Sequence, residues 1–282
     1  MAGLFDLEFH EKKIKEYQPT LAKLDLVIDW EMFRETIEKA LYVEPKGAGG
    51  RPPFDKIMMF KILILQKYYN LSDEQTEFQI NDRTSFKQFL GLKIGDTIPD
   101  EKTIWHFKEQ LANKDLSKSL FEMFAVALMD KGIIAKEGSI VDATFVDVPK
   151  QRNSKEDNAD IKKGAVPLKF GKKDKNGKQS KLCQKDTDAR WMTKSGEKHF
   201  GFKDHINADE KTKLITKYSV TSAAPHDSTE IENIVDETDN RLHADSAYRS
   251  KEIEEHLKAI ECESFVHEKG YRGSPLTEQQ KE

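Results

Sequence analysis

Ile140-Val141-Asp142-Ala143-Thr144-Phe145-Val146 is rich in β-branched and aromatic residues, with apolar side chains at both odd and even positions. A strand covered on both faces, central in a sheet, reads this way. A carboxylate inside such a run is costly unless a partner or a metal ion balances it, so Asp142 marks a candidate for chemistry. Asp147 lies five residues further on. In a regular strand it points to the opposite face and cannot share a metal with Asp142. A second aspartate, Asp245, closes the strand-like run Leu242-His243-Ala244-Asp245, and in α/β sheets chemistry collects at the carboxyl ends of strands. A divalent metal site acting on nucleic acid is the simplest account of the two.

Working outward, residues 199–207 and 213–223 read as strands joined by the turn Asp209-Glu210-Lys211-Thr212. A helix is expected over 227–236, a strand over 242–247, an amphipathic helix over 250–260 and a last strand over 264–267. Three strands, then helix, strand, helix, strand describe a mixed α/β sheet with an antiparallel hairpin at one side and parallel crossovers at the other.

Upstream of 133 the periodicity is helical. Asp29 is placed to cap a helix bearing Phe33, Ile37 and Leu41, and Gly47-Ala48-Gly49-Gly50 forms a linker. Residues 54–69 are apolar nearly all round, as in a helix at the centre of a bundle. Ser72 with Gln75 forms a capping box, Asp100 caps a helix bearing Ile104, Phe107 and Leu111, and a further helix over 117–131 stops at Gly132. Residues 1–132 are therefore expected to form an all-α domain and 133–282 the α/β domain, with a basic insertion at 151–198. The segment 100–111 is a candidate recognition helix of a helix-turn-helix, although Lys102 and Lys108 are few for a DNA-reading face. Trp30 and Trp105 are expected in the core.

Of the 282 residues, 37% are hydrophobic and 34% charged. No apolar run approaches the ~20 residues of a membrane span. Residues 1–10 do not read as a secretory signal, and two cysteines, Cys183 and Cys262, do not make a disulfide framework. A cytoplasmic protein without membrane partners is expected. The net charge of −4 conceals a segment of opposite sign: residues 150–217 hold 19 Lys+Arg against 10 Asp+Glu. Such a segment attracts a polyanion through its phosphates. Lys172, Lys173, Lys175, Lys178 and Lys203 are candidate phosphate contacts, with Arg190 as a clamp and Trp191 as a stacking surface. A solvated lysine-rich loop is the plainer alternative for the charge. His243, two residues from Asp245, allows a His-x-Asp metal pair but fits a supporting histidine better. His226-Asp227-Ser228 names the residue types of a hydrolase triad, yet neighbours in sequence rarely converge, and a helix cap by Asp227 or Ser228 is expected.

Asp142-Ala143-Thr144 with Val148-Pro149-Lys150-Gln151-Arg152-Asn153, then Gln184-Lys185-Asp186-Thr187-Asp188-Ala189-Arg190-Trp191, Phe200-Gly201-Phe202-Lys203-Asp204-His205, Val220-Thr221 with His226-Asp227-Ser228, and Ala244-Asp245-Ser246-Ala247-Tyr248-Arg249 closely resemble bacterial insertion-sequence DDE transposases of the family-five type, related to the family-four transposases. The segment from Arg51-Pro52-Pro53 through Pro99-Asp100 to Leu111 resembles their helical domain. The resemblance implies a ribonuclease H-like catalytic domain with an Asp, Asp, Glu triad, onto which Asp142 and Asp245 map as the first and second acids. It implies two Mg2+ or Mn2+ ions in a complete site, cutting and joining of double-stranded DNA at terminal inverted repeats and in target DNA, and a homo-oligomer on DNA. The family's glutamate lies on a helix after the last strand, in an arginine-rich segment. No such segment precedes Glu282, and Gly273-Ser274-Pro275-Leu276-Thr277-Glu278 looks like the approach to it. A truncated transposase with an incomplete catalytic domain is the resulting expectation, with Glu252, Glu254 and Glu255 belonging to a solvated helix face. The alternatives are a non-catalytic DNA-binding transposase fragment, acting as inhibitor or relic, and a metal-dependent phosphatase or nuclease.

Overall fold

The computed structural model describes residues 6–17, 19–44, 47, 52–167, 170–173, 179–181, 185–194 and 196–268. They divide into two compact units, Met1–Ile133 and Ile134–Glu282. The first is helical. It contains α1, Asp6–Tyr17, α2, Pro19–Val27, and then a 3-10 turn, Trp30–Phe33, opened by Asp29 and continued by α3, Arg34–Ala40. Asp55 caps α4, Lys56–Tyr68, through the Met58 amide. Ser72 and Gln75 close a reciprocal box on α5, Asp73–Asp82. The next helix, α6, Thr84–Leu90, ends at Gly91, whose φ of 73° favours glycine. Asp100 caps α7, Glu101–Asn113, at 2.7 Å from the Thr103 amide, and α8, Leu116–Asp130, stops before Gly132.

These helices bury Phe33, Ile37, Ile62, Leu65, Ile80 and Ile104 completely. Each such side chain contributes about 1.5–3 kcal/mol by leaving water. Trp30 packs among Phe33, Phe60 and Phe89, with ring centroids 5.7 to 6.4 Å away. Trp105 departs from expectation. It is 53% exposed, because Ile104, Phe107 and Leu111 take the buried face of α7 and leave it on the other.

The second unit is a mixed six-stranded sheet with helices. Its elements are β1, Ser139–Asp147; α9, Lys155–Lys162; a separate two-stranded ribbon of β2, Gly171–Lys173, and β3, Gln179–Lys181; β4, Arg190–Lys194; β5, Glu197–Asp209; β6, Ile215–Ser222; a 3-10 turn, Asp227–Glu230, leading into α10, Ile231–Ile234; β7, Arg241–Ala244; a 3-10 turn, Ser246–Tyr248; α11, Lys251–Ala259; and β8, Glu263–Val266. The sheet order is β4-β5-β1-β7-β8, with β6 also paired to β5. As expected, β5 and β6 form an antiparallel hairpin, while β7 pairs in parallel with β1 and with β8. The Asp209 carboxylate builds the hairpin turn by accepting from the Thr212 amide and hydroxyl, both at 2.7 Å.

The basic insertion contains α9, the ribbon and β4, none of which its composition announces. Two expectations are corrected. The helix expected over 227–236 is a 3-10 turn and one turn of α-helix, ended by extended backbone at Val235. The strand β1 is central, but it is not covered on both faces: Asp142, Thr144 and Val146 are exposed. They share a face with Val220 and Phe265, which are also exposed. On the opposite face Val141, Leu242 and Ala244 pack with Ile231 and Ile234 of α10 and Ile253 and Leu257 of α11.

Candidate active site

The parallel ladder between β1 and β7 brings the two acids together. Ser139 is opposite Leu242, Ile140 opposite His243 and Val141 opposite Ala244. The next residues along the two chains are Asp142 and Asp245. Asp142 is still in its strand, with Oδ1 2.7 Å from the Ala143 amide. Asp245 has just left β7 and caps the following 3-10 turn, its Oδ1 accepting from the Ala247 amide at 2.8 Å. Both are exposed, so the burial argument that points to Asp142 in the sequence does not hold. What singles it out in the structure is its neighbour. Among the described residues neither carboxylate takes part in an ion pair, so the two adjacent carboxylates stand without a cationic partner there. Their hard oxygen donors fit Mg2+ or Mn2+ better than zinc. No group of three or more His, Cys, Asp or Glu side chains set to hold a metal ion occurs among the described residues.

Beneath this edge, on the packed face, lies a polar cluster. Lys203 on β5 is opposite Phe145 of β1 and only 1% exposed. Its ammonium donates to the Pro225 carbonyl and lies 2.7 Å from Asp227 Oδ1 and 5.6 Å from the Phe145 ring. Next on that face is His205, fully buried, with Nε2 3.0 Å from Thr221 Oγ1. Burial pushes its pKa below the ordinary histidine value, so the ring is neutral near pH 7. Tyr248, at the end of the turn that Asp245 caps, is buried, and its hydroxyl has no hydrogen-bond partner among the described residues. Its pKa is raised by burial first, and then by the carboxylates of Asp227, Asp142 and Asp245. Sequence reasoning offers Lys203 as a surface contact and Asp227 as a cap, and it gives His205 and Tyr248 no role. The signal for a buried cluster is the alternation of polar residues along 203–209, which reads as a solvated strand face.

The other candidates fall in varied places. Lys203 is corrected from surface to interior, since its ammonium is already engaged away from solvent. The Arg190 guanidinium donates to the backbone carbonyls of Thr187 at 2.6 Å and Ala189 at 3.0 Å, so it holds its own loop. Trp191 is 49% exposed, beside Phe200 at 5.0 Å and under the Lys150 ammonium at 6.0 Å. Lys172 and Lys173 lie on β2. Lys175 and Lys178 lie outside the described residues. His243 stacks on Phe265, with Nε2 3.6 Å from Glu210 Oε1, and Asp147 lies 3.4 Å from His199. At residues 226–228 the cap is His226 itself, through Nδ1 and the Ser228 amide, because Asp227 has turned inward to Lys203.

A mixed sheet with one aspartate in a strand and a second just past the end of the parallel strand beside it, preceded by a helical unit, is the setting in which two family comparisons agree. The family described as Transposase DDE domain matches residues 134–282, and the one described as Transposase domain (DUF772) matches residues 8–110. The chain belongs to the DDE transposases of insertion-sequence type. No solved structure matches the chain. No helix among the described residues is long and apolar enough to cross a membrane.

Proposed function

We propose that the chain cuts and joins double-stranded DNA at the ends of an insertion sequence, with Asp142 and Asp245 as metal-holding acids on a ribonuclease H-like sheet. The pairing of β1 with β7 carries this reading, because it sets the two carboxylates side by side without a basic partner among the described residues. Bound divalent ions would supply Lewis-acid stabilisation of the attacking and leaving oxygens of an in-line displacement at phosphorus. The protein's part is orientation: the Ala143 and Ala247 amides each fix one oxygen of an acid and leave the other free to face a cation. Calorimetry with Mn2+ tests this. Asp142→Asn is expected to lower the affinity by at least about tenfold, and equal binding by both proteins would sink the assignment.

DNA would be held by the basic stretch through its phosphates, with Lys172, Lys173, Lys175 and Lys178 as contacts and Trp191 with Lys150 as an exposed aromatic and cationic platform. Neutralising the four lysines is expected to weaken binding to all sequences alike. It should also flatten the plot of log affinity against log salt by up to about 3.6, at roughly 0.9 for each phosphate that no longer meets a lysine. An unchanged slope would remove this stretch from the interface. Lys203 and Arg190 are not part of the proposed contact surface.

A further inference from the structure

Burying an ammonium and a carboxylate inside a small sheet is seldom the most stable arrangement, since an apolar pair of similar volume usually serves stability as well or better. The Lys203–Asp227 pair is nevertheless inside this one, with side chains 1% and 16% exposed. Its location gives the reason. Lys203 is ladder partner to Phe145, three residues beyond Asp142 on the same strand, and its ammonium sits over the Phe145 ring. Asp227 opens the 3-10 turn Asp227–Glu230, and that turn packs against the turn Ser246–Tyr248. The second turn begins at Asp245. A continuous path therefore runs from the strand of the first acid, through Lys203 and Asp227, to the turn oriented by the second. Tyr248 ends the path, with its hydroxyl buried and unspent among the described groups.

We infer that Lys203 and Asp227 are positioning residues, a buried ionic strut that fixes the Asp245 turn relative to the strand of Asp142 and so sets the spacing of the two acids. The inference rests on the proposed metal-holding role of those acids. With the strut in place, Asp245 is held as the cap of its turn. Without it, nothing ties the Asp227 turn to β5 through this pair, and the Asp245 carboxylate samples orientations in which it does not share a cation with Asp142.

The decisive variant is the double substitution Lys203→Met with Asp227→Leu in the whole chain. It removes both charges at once and so avoids an unpaired buried ion. Two quantities are read together with the melting temperature. One is Mn2+ affinity by calorimetry; the other, in metal-free protein, is the hydrogen-exchange rate of the Ala247 amide, which donates to Asp245 Oδ1. A positioning strut gives a melting temperature near that of wild type, an Ala247 exchange rate about tenfold higher and Mn2+ affinity about tenfold lower. Asp227→Glu keeps the pair but lengthens it by one methylene; it moves both readouts in the same direction and covers the case in which the double variant does not fold. Unchanged Ala247 exchange in a folded variant overturns the inference whatever the metal does. Equal Mn2+ affinity in variant and wild type overturns it while leaving the metal-holding role intact. A wild type that binds no Mn2+ overturns that role and the inference with it.

Discussion

The two units bury polar groups to different extents. In the helical unit the interior is mainly aliphatic and aromatic; Gln66 and Thr76, both buried, answer one another at 3.1 Å, and the buried Lys87 donates to the Ile94 carbonyl. In the sheet unit Lys203, His205, Asn207, Asp209, Thr216 and Asp239 are all buried. Asn207 donates to the Ile234 carbonyl and to Asp239, and Thr216 donates back to the Asn207 carbonyl, so strands, turn and helix are tied by directional bonds. Apolar burial stabilises in proportion to area and is indifferent to orientation. Hydrogen bonds add modest net stability but fix direction. The more polar interior lies in the unit that carries Asp142 and Asp245.

That contrast is easiest to break at Lys203. Lys203→Met alone leaves Asp227, whose Oδ1 is buried, without its partner and is expected to cost about 3 kcal/mol, read as a lower urea midpoint for the sheet unit. A cost below about 1 kcal/mol would mean that Asp227 reaches water or another donor with ease, and that the buried pair is incidental. Leu65→Ala on α4 is the apolar counterpart. Leu65 is fully buried, and its truncation is expected to cost the helical unit about 3 kcal/mol without changing Mn2+ binding. Loss of Mn2+ binding by that variant would erase the division between the two units.

The same contrast explains what the sequence discloses. Helix caps and apolar periodicity are local, and Asp29, Ser72, Gln75 and Asp100 all act where their spacing places them. Alternation along β5 misleads. Phe202, Ile206 and Ala208 look like the inward set, yet they lie on the half-exposed face, while Lys203, His205, Asn207 and Asp209 point inward. The usual rule fails because Lys203, His205 and Asn207 find partners on β6, at Pro225 and Asp227, and in the turn near Asp239, all supplied by chain further along, while Asp209 is held by its own hairpin turn and by the Lys136 amide. Asp142 draws attention in the sequence for a burial it does not have; Asp245, at the end of the strand paired with its own, is the real reason to notice it, and strand register is not written locally. Apolar neighbours point Trp105 to the core, but helical phase puts it outside. The elements within 151–198 are hidden because a lysine-rich composition masks short strands.

The smallest effect is also the most specific to the sheet unit, and it concerns acid. Lys217 lies 2.8 Å from both Asp236 and Asp239. Burial works to raise the Asp236 carboxyl, but the Lys217 ammonium, with the Thr238 hydroxyl and amide, outweighs it and holds the group at about 2, below the ordinary 3.8. A carboxyl with a folded pKa below its unfolded one binds fewer protons in the native state. Its contribution is therefore complete above about pH 4 and is lost as the pH falls toward about 2. The Asp236 side chain is half exposed, so solvent screening limits the contribution to about 1 kcal/mol or less. Urea midpoints of the sheet unit at pH 5, 4 and 3 should fall less steeply in Asp236→Asn than in wild type, while the midpoints of the helical unit follow the same curve in both proteins. Parallel curves for the sheet unit would mean that Lys217 is satisfied by Asp239 alone. The directional network would then close through Asp239, which accepts from Ser139, Asn207 and the Asp236 amide, and Asp236 would only decorate its edge.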